Sequence, residues 1–519
     1  MSRGITRRWV LAALSAGASL GGASVLSACG TRKSSHGQRD LALAPEIDSA
    51  VERALALDLV PAFGVAVYSR QGTYVRGFGF ADVDTRERAC AKTAFYVASS
   101  TKSMTALALA CLHARGVLDL DASLARFSPG IPLPPDTRPG DVRLRDLLTH
   151  VSGIVNEPIE YRLSSTGQHD PETLWRLLAV SEANPAAPLG RFQYANLGYN
   201  IATVLTDRGL GVRWQELLNM EIFEPAGLSR TSASMAKAKS SRWSIAKPHR
   251  LGTSGTRERS YLEKTDQTMH SAGGVIMSAD DAARWLELIV EDGRIGRRQC
   301  LPAEVVQTTR TPIVTVGAEL DGYRREQYGL GWYIGPYRKE RMLHHFGGFS
   351  GFRAHVSYLP DQAIGVAVFT NDSTVGLRVI NAIANYVYDR MGGYPDAEQR
   401  LAATFEAATT SYRNAARRIV TDRGSRANLQ LDLSRPRAAY AGLYENADWG
   451  RIEISVEDPT LRVTCGVLRT LAEPFEEPDS VRVELEPGGG EALRFEGAGR
   501  APASLNLAGR KYLRTRKPS

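Results

Sequence analysis

From Met104 to Leu112 the chain runs Met-Thr-Ala-Leu-Ala-Leu-Ala-Cys-Leu, a helical stretch that is apolar on nearly every side. A helix with no polar face belongs inside a core, covered all round by other elements. The 519 residues supply enough chain for about three domains and a large core. Gly116, after Arg115, supplies the stop signal. Directly ahead of the run stands Ser99-Ser100-Thr101-Lys102. Side chains three apart on a helix are neighbours, so Ser99 Oγ and Lys102 Nζ meet at its start. Unpaired N–H groups there favour developing negative charge. A desolvated lysine loses its proton near neutral pH and becomes the base that a serine nucleophile needs. The chemistry indicated is acyl transfer; the plainer alternative is that Ser99 caps a core helix.

The four-residue pattern also occurs at Ser234–Lys237 and Ser244–Lys247, in a polar stretch without apolar periodicity. Only the copy at Ser99 introduces a buried helix. Two further segments offer it partners. In Arg191-Phe-Gln-Tyr-Ala-Asn-Leu-Gly-Tyr199, a Tyr194 phenol held near an ammonium ionises below its usual range and shuttles the serine proton. Asn196 supplies an amide to orient the lysine and a substrate carbonyl. Tyr444-Glu445-Asn446 repeats Tyr-x-Asn in a β-patterned region, where local loop hydrogen bonds are the default reading. In His344-His345-Phe346-Gly347-Gly348-Phe349, glycines ahead of a strand let a substrate lie along its edge and expose N–H groups to an oxyanion. The imidazole of His345 there holds a substrate carboxylate or assists proton transfer.

The N-terminus reads as an export signal. Arg3, Arg7 and Arg8 precede the apolar, small-residue-rich stretch Trp9–Leu26. Leu26-Ser27-Ala28-Cys29 resembles a bacterial lipobox, with cleavage before Cys29 and a lipid on its sulfur; Thr6–Leu11 resembles a twin-arginine signal. The alternative is an ordinary signal peptide cut near Ala28. Residues 1–28 are the signal peptide, and residues 29–43 read as a flexible tether. The mature protein is then an exported lipoprotein of the cell envelope, tied to a membrane without spanning it. Beyond residue 29 nothing approaches the ~18 consecutive apolar residues of a span. Removing residues 1–28 takes three arginines and no acids, leaving +5 of the formal +8. No basic motif interleaved with aromatics points to nucleic acid. Cys90, Cys111, Cys300 and Cys465 remain with their pairing open, and no spacing of Cys or His suggests a metal or cofactor.

Periodicity predicts a helix over 45–57, strands over 63–68 and 74–78 around a short turn, and a helix over 144–151. Residues 155–300 read as a mainly helical insertion. Strands return at 328–332, 354–359 and 365–369, followed by a helix over 375–391. Strands at both ends with helices between them indicate one sheet built from distant segments. The charged stretch 396–430 reads as a helical linker, and short alternating runs in 431–516 read as an antiparallel sheet or small barrel.

Ser-x-x-Lys, Tyr-x-Asn and His-x-Gly, in this order and about 95 and 150 residues apart, resemble the serine β-lactamase-related family. Leu147–Gly153, Ala272–Ser278 and Tyr328–Trp332 support the resemblance, which covers roughly residues 45–395. It implies an α/β (α+β) fold over 44–395, with an antiparallel sheet flanked by helices and a helical domain alongside. It also implies a serine hydrolase that needs no cofactor, with Ser99 acylated and Lys102 and Tyr194 sharing proton transfer. Asn196 is implied to position, His345 with Gly347 to form the third element, and the N–H groups of Ser99 and Gly348 to bind the oxyanion. Class C β-lactamases carry Lys-Thr-Gly where this chain has His345-Phe346-Gly347, which favours the peptidase and esterase branches. The expected substrate is a small molecule or short peptide, first a D-amino-acid peptide. A carboxylesterase, a weak β-lactamase and a non-catalytic murein-binding lipoprotein are the alternatives. The C-terminal unit resembles lipocalin-like domains that wall the site or mediate assembly.

Overall fold

The computed structural model describes residues 40–515, so the export signal, Cys29 and the tether up to residue 39 lie outside the described residues. Residue 41 already belongs to the body: Leu41 is buried and its N–H donates to the Thr73 carbonyl at 3.2 Å. The tether expected to run to residue 43 therefore ends earlier.

Helix α1 (Ala44–Ala56) leads into the hairpin β1 (Ala62–Ser69) and β2 (Gly72–Asp82), whose Ser69–Gly72 pairing leaves Arg70-Gln71 as the turn. Helix α2 (Thr101–Ala114) is buried over every residue from Thr101 to Leu112, as its apolar circumference requires. Helix α3 (Leu197–Leu210) and helix α4 (Ala279–Val290) follow. Strands β3 (Val314–Leu320), β4 (Tyr323–Tyr328), β5 (Tyr333–Tyr337), β6 (Glu340–His344), β7 (Gly347–Phe349), β8 (Phe352–Leu359) and β9 (Ile364–Thr370) return to the sheet. Helices α5 (Gly376–Met391) and α6 (Ala397–Arg426) complete this part.

The sheet order is β3-β4-β5-β6-β8-β9-β1-β2, ending in the two-residue strand Glu87–Arg88, with β7 paired to β8. All pairings are antiparallel; Val65 lies opposite Val368 and Val67 opposite Val366. Because side chains alternate along β1, Phe63, Val65 and Val67 pack beneath α1, α5 and α6. Ala62, Ala66 and Tyr68 face the core that holds α2 and α4. Distant chain segments thus meet in one sheet, as their patterning implies.

Three expectations change. Residues 329–332 are not strand but the connection between β4 and β5. There Gly331 has φ +84°, and a Cβ would stand 2.6 Å from Ser103 Cα, so the loop packs tightly on the start of α2. Within 155–300, helix α4 belongs to the sheet rather than to an insertion, since Trp285, Leu286 and Ile289 enter the core against β1 and β9. Helix α6 is more than a linker: Leu401, Phe405 and Ala408 bury its first half against α5.

The C-terminal unit is a nine-stranded antiparallel sheet, nearly closed into a barrel. Its first strand, Gly442–Asn446, returns to pair with its last, Arg510–Thr515. Tyr440, Tyr444, Ile452, Leu461, Val463, Leu493, Leu505 and Tyr512 fill its interior, so its core is solid. It docks on the body through Arg162, which donates to the carbonyls of Asp448 at 2.6 Å and Ala447 at 2.8 Å. Leu262 of the body inserts into the barrel's own core. Cys90, Cys111, Cys300 and Cys465 are free thiols.

Candidate active site

Ser99 sits on a short 3-10 turn, Ala98–Ser100, that runs straight into α2. It is not a helix cap: Ser100 holds that position, and its side chain makes no capping bond. The turn is pinned from both sides. Val97 N–H donates to the Val275 carbonyl at 3.0 Å, and Ser100 Oγ donates to the His345 carbonyl at 2.7 Å. Ala98 adopts φ +44°, a conformation that costs a non-glycine residue roughly 1–3 kcal/mol and is held by this over-determined packing.

Lys102 is fully buried, one helical turn from Ser99. Its Nζ lies 2.7 Å from Asn196 Oδ1, 2.9 Å from the Ala272 carbonyl and 3.2 Å from Ser99 Oγ. Among the described residues no carboxylate forms an ion pair with it, and burial, outweighing the charge of Glu160, lowers its pKa to about 7. A neutral amine has two N–H groups and one lone pair. The amide and carbonyl oxygens can only accept, so they take the two N–H groups and the lone pair is left for the Ser99 hydroxyl.

Tyr194 and Asn196 lie on the segment entering α3, with Asn196 at its N-cap position. Lys102 Nζ stands 4.8 Å from the centre of the Tyr194 ring, and the Tyr194 hydroxyl bonds Ser99. The residue keeps 38% of its surface exposed, so it remains reachable from solvent while its hydroxyl turns inward. Its pKa is raised, burial outweighing the hydrogen bond to Ser99. The expectation of a phenolate is therefore corrected: proximity to Lys102 does not ionise Tyr194, because Lys102 itself tends to neutrality. At rest the proton sits on the tyrosine.

His345 precedes β7 and is also buried. Burial and the nearby Lys102 hold its pKa well below the ordinary value, so the ring is neutral. Its Nδ1 lies 3.1 Å from the Phe346 carbonyl, an acceptor, which assigns the ring proton to Nδ1. Nε2 then carries a lone pair, and it has no partner among the described residues. Of the two roles expected of His345, a neutral ring with its N–H committed to Phe346 suits assistance in proton transfer rather than the holding of a substrate carboxylate.

Gly347 is where β7 meets the nucleophile turn. A Cβ there would stand 2.0 Å from the Val97 carbonyl oxygen, so no larger residue fits. Gly348, next along this edge strand, is exposed and pairs with Arg353 of β8. All three sequence motifs therefore converge on Ser99. The other copies are structural. Ser234 accepts the Lys237 N–H at 3.1 Å as a helix cap, and Ser244 Oγ donates to Glu87. Tyr444 donates to the Tyr440 carbonyl inside the barrel.

Further site residues were not singled out by the sequence, although His150 and Tyr328 fall within the supporting segments Leu147–Gly153 and Tyr328–Trp332. His150, at φ +61°, accepts the Ala195 N–H at 3.3 Å, and its ring packs 4.6 Å from that of Tyr194. Tyr333 stacks on Tyr194 at 6.1 Å, with Tyr328 against its edge at 4.8 Å. Glu160 accepts the N–H groups of Leu197 and Asn196 with its pKa raised by burial. Potential metal ligands gather at His113, Asp119 and Asp121, beyond the opposite end of α2 from Ser99.

A family model described as Beta-lactamase matches residues 47–390. The chain belongs to that family. Within the serine β-lactamase-related family it is 24% identical over 352 residues to unguisins hydrolase ungD of Aspergillus violaceofuscus, covering 63% of this chain and 61% of that protein. Protein flp of Staphylococcus aureus (strain COL) is 20% identical over 329 residues, covering 63% and 62%. The chain thus matches about three fifths of the length of these curated relatives. Among solved structures, the octameric penicillin-binding protein homologue from Pyrococcus abyssi superposes with a TM-score of 0.58 at 21% identity, covering 90% of this chain and 98% of that one. D-amino acid amidase from Ochrobactrum anthropi SV3 gives 0.55 at 18% identity, covering 67% and 99%. The fold is the β-lactamase/transpeptidase-like one implied by the motifs, followed by the barrel-like sheet.

Proposed function

We propose that the protein is an exported serine hydrolase that forms an ester on Ser99 and releases it to water. The observation that carries this reading is the hydrogen-bond set of Lys102, whose fixed acceptors leave its lone pair to Ser99 Oγ. Lys102 takes the serine proton as Oγ attacks the substrate carbonyl. The N–H groups of Ser99 and Gly348 stabilise the oxyanion. Tyr194, protonated at rest, hands its proton to the leaving group and recovers one from Lys102; this route keeps both groups within their resting protonation states. Water then attacks the ester by the reverse relay. Asn196 holds the amine, and Gly347 lets β7 approach the turn.

The substrates are amide or ester acyl donors, first among them peptides containing D-amino acids. The name of one structural neighbour, D-amino acid amidase, supports an amide, and that of an unguisins hydrolase supports hydrolysis. The neutral His345, in place of a permanent lysine cation, weighs against efficient β-lactam hydrolysis. Retention of Ser99, Lys102 and Tyr194 in bonding contact weighs against a purely murein-binding role. Export and attachment through a lipid on Cys29 complete the proposal.

Fluorophosphonate labelling followed by mass spectrometry tests it. The adduct is expected on Ser99 and absent from S99A. A folded wild-type protein that resists labelling, or an adduct that persists in S99A, would sink the mechanism. Palmitate incorporation that disappears in C29A checks the anchor.

A further inference from the structure

Tyr194 lies on neither helix nor strand, yet a group that delivers a proton must be held within hydrogen-bond reach of the atom it serves. The N–H groups on both sides of it end on one residue. Gln193 N–H donates to the His150 carbonyl at 2.8 Å, and Ala195 N–H donates to His150 Nδ1 at 3.3 Å. A backbone N–H can only donate, so Nδ1 carries the lone pair and Nε2 the ring proton. Nε2 then donates to the Tyr328 hydroxyl at 3.3 Å. Burial and the nearby Lys102 hold the pKa of His150 well below its ordinary value, in keeping with this neutral form. Both ring nitrogens are thus committed within the fold, and neither is left to move a proton in the reaction.

The ring also packs where it matters. Its centre lies 4.6 Å from that of Tyr194. Tyr328, bonded to Nε2, sets its edge against Tyr333 at 4.8 Å, and Tyr333 stacks on Tyr194 at 6.1 Å. His150 therefore reaches Tyr194 through the amide before it, the amide after it and the rings beside it. To turn both its carbonyl and Nδ1 toward one segment, the buried His150 takes φ +61°, a left-handed conformation that few non-glycine residues enter. It stands just after the short helix Leu144–Leu148, on which the start of α3 is seated. A Cβ on Gly198 would stand 2.1 Å from the Leu147 carbonyl oxygen, so α3 and the segment entering it share this one support.

We propose that His150 is a positioning residue for the leaving-group proton, holding the Tyr194 hydroxyl at Ser99 by clamping the N–H groups on either side of it. This rests on the reading that Tyr194 protonates the leaving group. The test compares kcat/KM, which reports acylation, for the p-nitroanilide and the p-nitrophenyl ester of N-acetyl-D-alanine. The two share an acyl group, but p-nitrophenolate leaves without a proton and the anilide does not. H150G removes the ring and suits φ +61°; H150N also tolerates that conformation and puts an amide oxygen where Nδ1 stood. H150G is expected to lower the anilide-to-ester ratio by about 10- to 100-fold, the usual cost of a misplaced reacting group, and H150N to restore most of it. In a Y194F background H150G should lower the ratio no further, because no hydroxyl remains to be positioned. H150Q, which fills the space but carries its acceptor one methylene too far, repeats the comparison if H150G does not fold. Equal losses on both substrates, no recovery in H150N, or a further fall of the ratio in the Y194F background would overturn the proposal. A wild type that does not cleave the anilide, or an unchanged ratio in Y194F itself, overturns the reading of Tyr194 and the proposal with it. A ratio that falls in Y194F but not in the His150 variants overturns the proposal alone.

Discussion

The titration of Lys102 gives the sharpest test of the mechanism. An ordinary lysine is neutral in about one molecule in a thousand at pH 7.5. With its pKa lowered to about 7 by burial, Lys102 is neutral in most molecules at that pH. If its lone pair draws the Ser99 proton, the rate of fluorophosphonate labelling follows the neutral fraction. That fraction is about one tenth at pH 6 and about nine tenths at pH 8, so the rate should rise roughly tenfold and then level off. With Tyr194 as the resting base the rate would keep climbing beyond pH 9, because burial raises that group. Lys102→Arg holds a permanent charge in the same place and should slow labelling by about a thousandfold or more. Stability carries the same signature. Because the folded pKa lies below the unfolded one, the unfolded chain holds a proton that the native one lacks between about pH 7 and 10.5. The contribution of this group to stability therefore rises with pH across that window. A labelling rate that is flat from pH 6 to 8, or near-normal labelling of Lys102→Arg, would refute the assignment of Lys102 as base.

Tyr194→Phe keeps the stack on Tyr333 and removes only the hydroxyl, so turnover of an amide substrate should fall by roughly 10²–10⁴ while the melting temperature barely moves. Steady-state kinetics beside a thermal melt separates the two effects. Gly347→Ala drives a methyl into the Val97 carbonyl oxygen; labelling should drop at least about a hundredfold and the melt should show a loss of about 1–3 kcal/mol. Arg162→Ala removes the two bonds to the Asp448 and Ala447 carbonyls from a buried position, which should cost about 2–4 kcal/mol and expose the barrel interface to limited proteolysis.

The elements most legible in the sequence are those whose signal is local. The spacing of Ser99 and Lys102 on one helical turn, the Arg70-Gln71 hairpin and the alternation of Gly450–Glu457 each depend only on the geometry of a continuous backbone. Apolar run length likewise marked α2 as a core helix. Residues 329–332 pattern like a buried strand because glycines and aromatics mimic one, whereas Gly331 serves a tight connection over α2. Nothing in the periodicity of helix α4 states which sheet its apolar face meets, so the sequence alone does not separate it from the insertion.

By itself the sequence determined which groups are available for chemistry and in what order: a serine and a lysine one turn apart, then a Tyr-x-Asn, then a histidine before glycines. Only the tertiary structure decided what each group is. Ionisation depends on how much water every neighbour removes, and those neighbours come from everywhere in the chain. Burial makes Lys102 a base near neutral pH, keeps the proton on Tyr194 and keeps His345 neutral.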